Sequence, residues 1–507
     1  MLNYVKISAE STNIVDMSKI NSPRNSGIPA WVPESIFYHI FPDRFARGRQ
    51  VSASSHLRLQ PWGSSPQAGG FQGGDLWGIA DRLGFLEDLG VNALYLNPIF
   101  ASPANHRYHT TDYFAVDPLL GGNEAFAHLI AQCRRRGIRV VLDGVFNHCG
   151  RGFWPFHHLL ENGADSPYRD WFHVSKWPLN PYPLHRDSPH HYRSWWNLPA
   201  LPQLNIANPD VRAYLMRVVR HWIEAGIDGW RLDAIDQIPD LDFWAELRET
   251  ASRANPEAYI FGEIWHHAPD YLSLGGMHGL TNYPLREAVL RFFGFGCPAM
   301  EHSPAKVSGR GRAARLAKCL EWQAANYPLP HTRAMFNMLE SHDTARALWS
   351  LDGDAAALKL SLLLLMCLPG VPGIYAGSEI GIRERSSRSA YPWETPESRD
   401  EDMLDFHRRI CRLRRENPVL QLGECAVLYA RGDLFALERN LGEQRLVAVF
   451  NRGKESRSLG LPRMGINSAA PDALQFLWGK EGWLKNRGTL ALPGQSAVII
   501  SAPPGGC

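Results

Sequence analysis

From Ser35 onward, short runs of β-forming residues alternate with amphipathic segments, and this alternation restricts the fold more than any other feature of the chain. The runs are SIFYHIF from Ser35, ALYLNP from Ala93, RVVLDGVF from Arg139, GWRLDA from Gly229, YIFGEIW from Tyr259, the weaker LTNYPL from Leu280, AMFNMLE from Ala334 and GVPGIYAG from Gly370. Between them, DLWGIADRLGFLEDLG, NEAFAHLIAQCRRRG and PDVRAYLMRVVRHWIEAG repeat apolar residues at three- and four-residue steps and close at glycine, as helices with one buried face do. Parallel strands need crossover helices, so eight such units predict the α/β class and a (β/α)8 barrel over residues 35–418.

Three other stretches break the alternation. Residues 1–34 are polar and rich in Ser and Asn, which predicts an N-terminal arm rather than a domain. The connection 149–208, after the third strand, is far longer than a usual strand-to-helix loop and predicts a subdomain. It is crowded with Phe153, Trp154, Phe156, Trp171, Phe172, Trp177, Tyr182, Tyr192, Trp195 and Trp196. These are expected to divide between self-packing and the wall of a cleft. Beyond Asn417-Pro418 the runs CAVLYAR, LFALERN, RLVAVFNR and SAVIIS are separated by Gly, Asn and Asp turns, predicting an antiparallel β-sandwich over 419–507.

Lys plus Arg number 53 against 51 Asp plus Glu, so charge points to neither nucleic acid nor a disordered acidic tail. Eight cysteines without a C-x-x-C pair predict reduced thiols and a cytoplasmic location. The N-terminal residues lack a basic and an apolar targeting region, and the longest apolar run, Leu362–Leu368, is too short to span a bilayer, so no membrane partner is expected.

Asp233, Glu263 and Asp343 each stand at the end of a β-type run, which in a barrel is where active groups gather. Cleaving the acetal link between two sugars needs one carboxylic acid to protonate the leaving oxygen and one carboxylate at the anomeric carbon. A third can orient hydroxyls. The chain also holds 17 Trp, whose faces suit the apolar face of a pyranose.

The residues DGVFNH (Asp143–His148), GWRLD (with Arg231 and Asp233), GEIW (with Glu263) and SHD (His342 and Asp343) occur in that order and resemble the four signatures of the α-amylase family, glycoside hydrolase family 13. The likeness runs over about residues 35–500, and YHIFPDRF, SPANHRYHTTDYF and FNHCGRGFWPF are most similar to its neopullulanase, cyclomaltodextrinase and maltogenic amylase group. Members usually carry an N-terminal β-domain that helps form a dimer, whereas about 34 residues precede the barrel here, so that dimer is not expected.

The resemblance implies a retaining double displacement with Asp233 as nucleophile, Glu263 as acid and base, and Asp343 holding the hydroxyls of a distorted sugar. His342 and His106 would donate hydrogen bonds to that sugar, Tyr108 would stack on it, Asp143 would support Arg231, Arg231 would keep Asp233 ionised, and Arg388 would contact substrate. Trp265 would give apolar cover to Glu263. The usual VANE tetrapeptide after the nucleophile is Ala234-Ile235-Asp236-Gln237 here, at a position that bears on acceptor handling.

Arg47 and Arg49 replace Asn and Asp ligands found after FPDRF in the group, so no calcium is expected at that place, and Asn147 is expected to orient loops. No metal or other cofactor is expected. The implied substrates are cyclomaltodextrins and malto-oligosaccharides cut at α-1,4 bonds, extending to pullulan and starch, with some transglycosylation. The alternatives on the same residues are an α-glucosidase, a 4-α-glucanotransferase and a non-catalytic sugar-binding barrel.

Overall fold

A computed structural model of the chain describes residues 27–48, 58–66, 69–185, 188–294, 311–466, 474–485 and 488–502. Most of the arm expected over 1–34, together with Arg49, Cys297 and Cys507, lies outside the described residues.

Eight parallel strands form the expected barrel: β1 (Phe37–Ile40), β2 (Ala93–Leu96), β3 (Arg139–Gly144), β4 (Gly229–Leu232), β5 (Tyr259–Gly262), β6 (Gly279–Leu280), β7 (Phe336–Met338) and β8 (Val371–Tyr375). They are hydrogen-bonded in the order β6-β5-β4-β3-β2-β1-β8-β7, and a parallel bridge from Thr281 to Phe336 joins the last edge to the first.

Strand side chains alternate faces, so one parity points inward. The inward set begins with a layer of apolar rings and small residues: Phe37, Ala93, Val141, Tyr259, Phe261 and Phe336 pack in one cluster with Tyr95 and Val371. The Phe261 and Phe336 rings stack at 5.0 Å. Two residues further along the same strands the inward positions become polar: His39 follows Phe37, Asp143 follows Val141, Arg231 follows Gly229, and Glu263 follows Phe261. The apolar plug thus forms a floor on which the charged layer stands, at the strands' C-terminal ends. Gly373 is needed in that floor, because a Cβ there would stand 2.4 Å from the Phe336 ring.

Outward residues such as Tyr38, Leu94, Leu142 and Trp230 face the helical ring and are fully or almost fully buried. Helix Pro209–Glu224 is capped by Asn208, whose side chain accepts from Asp210 and Val211 N–H. The apolar run Leu362–Leu368 falls largely in helix Ala355–Cys367, which is buried on nearly every side. No helix among the described residues is long and apolar enough to cross a membrane.

The sixth run departs from expectation. Only Gly279–Leu280 is strand, and Asn282 turns the chain at once by capping helix Tyr283–Phe293 through Leu285 N–H, with Pro284 in its first turn. A proline in the first helical turn lacks a donor the helix does not need, so YPL starts a helix rather than extending a strand.

The long connection holds both buried and exposed aromatics. Phe153, Phe156, Phe172 and Tyr192 are at most 4% exposed and join the main apolar core, whereas Trp154, Tyr182 and Trp196 are 60%, 68% and 74% exposed. Trp195 stacks on His148 at 4.8 Å and on Trp196 at 4.5 Å, making a three-ring ladder from the barrel rim to solvent. Past the barrel, a five-stranded antiparallel sheet (Glu424–Arg431, Leu434–Leu441, Gln444–Asn451, Ser496–Ala502, Gln475–Trp478) and a three-stranded one (Arg457–Gly460, Thr489–Leu492, Leu484–Lys485) share an apolar core as the expected sandwich.

Gly373→Val is expected to force the Phe336 ring out of place and lower the melting temperature. Overpacking of this kind costs about 1–3 kcal/mol, and circular-dichroism melting checks it.

Candidate active site

Arg231 lies on β4 beside Asp143 on β3, with which it is in register, and two residues before Asp233. Its Nη1 donates to Asp143 Oδ1 at 2.7 Å and to Asp233 Oδ1 at 2.8 Å, and its Nη2 reaches Glu263 Oε2 at 3.0 Å. All four side chains are almost wholly buried. One guanidinium therefore fixes three carboxylates from three adjacent strands, which its planar fork can do and a single ammonium cannot. Asp143 is further held by the hydroxyls of Tyr95 at 2.8 Å and Tyr108 at 2.7 Å. Asp233 keeps Oδ2 without a hydrogen-bond partner among the described residues.

After Asp233 the backbone turns sharply at Ala234, which holds φ +46°, a left-handed conformation that costs a residue with a Cβ. That turn aims the Ala234 N–H at Glu263 Oε2, 3.0 Å away. Trp265 donates its Nε1–H to Glu263 Oε1 at 3.2 Å and stacks on Tyr283 at 3.6 Å. The expected apolar cover is therefore also a hydrogen bond.

Asp343 stands beyond this cluster with a third of its side chain accessible. His342 Nε2 lies 2.8 Å from its Oδ2, and Arg388 Nη2 lies 3.1 Å from its Oδ1. Arg388 also donates to His342 O at 3.2 Å, which ties the loop after β8 to the strand-7 end. The His342 ring lies flat against Tyr108, centroids 5.5 Å apart, and its Nε2 is 2.7 Å from the Tyr108 hydroxyl. Tyr108 thus gives its hydroxyl to the charged cluster and one ring face to His342. His106 is turned toward its own segment, with Nδ1 accepting from Tyr108 N–H at 3.2 Å.

Burial pushes the Asp233 carboxyl well above the usual carboxylate range, opposed by Arg231 and reinforced by the Glu263 and Asp143 charges. Glu263 is also raised, first by burial, with Arg231 opposing and Asp343 adding. Arg231 acts on Asp233 in the expected direction, lowering it, but one cation is divided among three carboxylates and burial outweighs it. The Asp233–Glu263 pair consequently holds a proton to higher pH than either carboxyl would alone, and that proton belongs to the pair. For Asp343, burial acts upward but is outweighed by His342, Arg388 and Arg231, leaving it below the usual range and ionised. Burial lowers His106 and His148 to about 3, so both are neutral near pH 7.

Three supporting residues lie outside the sequence expectations. Asn97, one residue beyond β2, donates to Tyr108 Oη at 3.0 Å, reaches His342 Nδ1 at 3.1 Å and meets His39 Nε2 at 2.9 Å through Oδ1. Tyr95 and His39 stack at 4.2 Å beneath it. Their signal is the parity of their strands: each is a polar-tipped residue on the inward face near a C-terminal end.

The stretch after FPDRF does not fit a cation. Arg47 donates to Gln72 O at 2.8 Å and Gln60 O at 3.2 Å, and its guanidinium lies 5.2 Å from the Trp62 ring centre, so a positive charge of the chain itself occupies those carbonyls. Asn147 is fully buried and its Oδ1 accepts from Gln203 at 2.8 Å, joining β3 to the subdomain. Among the described residues no group of three or more His, Cys, Asp or Glu side chains converges as a metal site.

Arg231→Lys is expected to misplace the carboxylates and lower turnover about 10²-fold or more, measured by reducing-sugar release. Asp143→Ala leaves Arg231 and two tyrosine hydroxyls short of a buried acceptor and is expected to destabilise the fold by about 3–5 kcal/mol, measured by denaturant unfolding.

Residues 39–419 match the model of the alpha-amylase catalytic domain. The chain is 38% identical over 441 residues to a cyclomaltodextrinase of Geobacillus thermopakistaniensis, covering 86% of this chain and 71% of that one. It is 36% identical over 488 residues to the intracellular maltogenic amylase of Bacillus subtilis, covering 94% and 78%. Among solved structures, the cyclic α-maltosyl-(1→6)-maltose hydrolase of Arthrobacter globiformis, in complex with that cyclic sugar, aligns with a TM-score of 0.82 at 35% identity, over 94% of this chain and 100% of the other. With a barrel whose strand ends carry Asp143, Arg231, Asp233, Glu263, His342 and Asp343, and with three quarters of its length matched by this domain model, the chain belongs to the α-amylase family of glycoside hydrolases.

Proposed function

We propose that this protein hydrolyses α-1,4-glucosidic bonds of cyclomaltodextrins and malto-oligosaccharides by a retaining double displacement. The observation that carries the reading is the single guanidinium holding Asp233 Oδ1 and Glu263 Oε2 on its two terminal nitrogens, while Asp233 Oδ2 stays free. A retaining enzyme needs its two carboxyls about 5–5.5 Å apart, with no room for an intervening water, and two carboxylates bridged by one planar group suit that demand.

In this reading the pair's shared proton sits on Glu263 when substrate binds and passes to the leaving glycosidic oxygen as Asp233 Oδ2 attacks the anomeric carbon. Glu263, now a carboxylate, then takes a proton from water, and the resulting nucleophile breaks the glycosyl–Asp233 ester. Asp343, ionised and accessible, accepts from the sugar's hydroxyls, with His342 and Arg388 fixing it. His106 donates to the same ring. The Trp195–Trp196 ladder and exposed Trp154 form the outer wall for further sugar units. Full coverage of the Arthrobacter enzyme's chain favours adding a cyclic tetrasaccharide with α-1,6 links to the substrates tested.

Arg47, donating to Gln72 O and Gln60 O, supports a reading in which the enzyme works without calcium after FPDRF. The six described cysteines are free, in keeping with a reducing, cytoplasmic setting.

Asp233→Asn is expected to lose roughly three or more orders of magnitude in rate. A group whose native pKa is raised is least favourable to the fold above that pKa, so removing this charge should leave the melting temperature at pH 7 unchanged or higher. Loss of both rate and stability would give Asp233 a structural role instead. The alkaline limb of kcat/KM follows the last proton of the pair. Asp343→Asn removes a negative charge that raises Glu263, so its residual activity is expected to fall off at lower pH than that of the parent. Time courses on β-cyclodextrin and maltotriose decide between hydrolysis and its rivals: products longer than the substrate mean transfer, and glucose alone means exo-action.

A further inference from the structure

A second concave site lies where helices Ala355–Cys367 and Glu401–Glu416 meet the C-terminal sheet, and it shares no lining residue with the carboxylate cluster. It encloses about 310 Å³, within the range of small-molecule sites. Each helix offers one face to it. Lys359 and Leu363 stand four residues apart on the first helix, and Asp402, Phe406 and Arg409 recur at four- and three-residue steps on the second.

The sheet side contributes Trp478 and Trp483. Trp478 is locked from two directions, edge-on by Phe406 at 5.6 Å and over its face by the Arg409 guanidinium at 4.6 Å. Trp483 is the last residue of a short turn, Glu481–Trp483, and is only partly buried. At the rim, Gln495 holds φ +47° although it is not glycine, and its side chain donates to Asp354 Oδ2 at 2.7 Å. The other oxygen of Asp354 caps the first helix through Ala357 N–H. Left-handed backbone in a bulky residue persists only where its surroundings insist on it, and such places gather at ligand sites.

The chemistry of the lining selects the ligand. Two cations, Lys359 and Arg409, are balanced by two anions, Asp402 and Asp405, and Lys359 pairs directly with Asp402. A phosphate or nucleic acid would find no surplus of positive charge, and a purely apolar ligand would strand these polar groups. A neutral molecule with apolar faces and a rim of hydroxyls that both donate and accept satisfies both the indoles and the charges. We propose that this groove is a non-catalytic carbohydrate site that holds pyranose units of a glucan against Trp483 while the chain's cleft works elsewhere on the same polymer. That the sugar is an α-glucan rests on the proposed function; that the site takes a sugar does not.

The test titrates maltoheptaose into the full chain carrying Glu263→Gln, which does not consume it, by calorimetry, and repeats the titration after adding Trp483→Ala or Asp405→Ala. The expected result is a binding event weakened about tenfold or more, equivalent to about 1.4 kcal/mol, by either change, alongside a second event that neither alters. With Glu263 restored, maltotriose turnover should be unaffected by both changes. If no binding event is weakened by either change, the proposal is overturned. Asp405 is 70% exposed, so its replacement decides the matter alone should Trp483→Ala fail to fold. Absence of maltotriose turnover in the parent would instead refute the proposed function, because the groove is scored by binding and not by rate.

Discussion

Everything at the mouth of this barrel is arranged around one buried cation. Arg231 faces three carboxylates at 2.7, 2.8 and 3.0 Å and cannot neutralise them all. Burial, with too little positive charge to offset it, raises both carboxyls of the Asp233–Glu263 pair, as the proposed acid and nucleophile working side by side would require. Asp143 is set apart by its partners: Arg231 and two tyrosine hydroxyls all bond to it, so that it holds the guanidinium in place. Asp343 is set apart by its neighbours of opposite sign, which keep it charged. Four acids of nearly the same chemistry thus receive different duties from what surrounds them.

The barrel was legible because its strands obey period two. Once Val141, Gly229 and Phe261 are read as inward, Asp143, Arg231 and Glu263 must be inward too, one step nearer the C-terminal end. The features that escaped needed more than period two supplies. A two-residue strand such as Gly279–Leu280 has too little length to show alternation, and Asn282 and Pro284 signal the helix that follows it. Asn97 reads locally as a turn residue before Pro98, and its bonds to residues 58 and 245 positions away cannot be inferred from spacing. The aromatics of the long connection could be assigned to two uses as a group, but which ring is buried depends on contacts such as Phe156 with Phe172 and Tyr192.

Two kinds of aromatic surface serve this molecule. The Trp195–Trp196 ladder leans on His148, a residue of the barrel rim, so its orientation is fixed by the same strand end that carries Asp143. Trp478 and Trp483 belong to the terminal sheet and meet the barrel only through its last helices. The first set thus stands beside the carboxylate cluster, and the second lies apart from it.

The left-handed turn at Ala234 makes the Asp233 and Glu263 carboxylates mechanically one part. The amide that grips Glu263 belongs to the peptide leaving Asp233, so tilting one carboxylate tilts the other, and neither can be re-aimed separately by drift in the protein around them. A substrate reaching this strand end would therefore meet Asp233 and Glu263 as one fixed surface rather than as two adjustable groups.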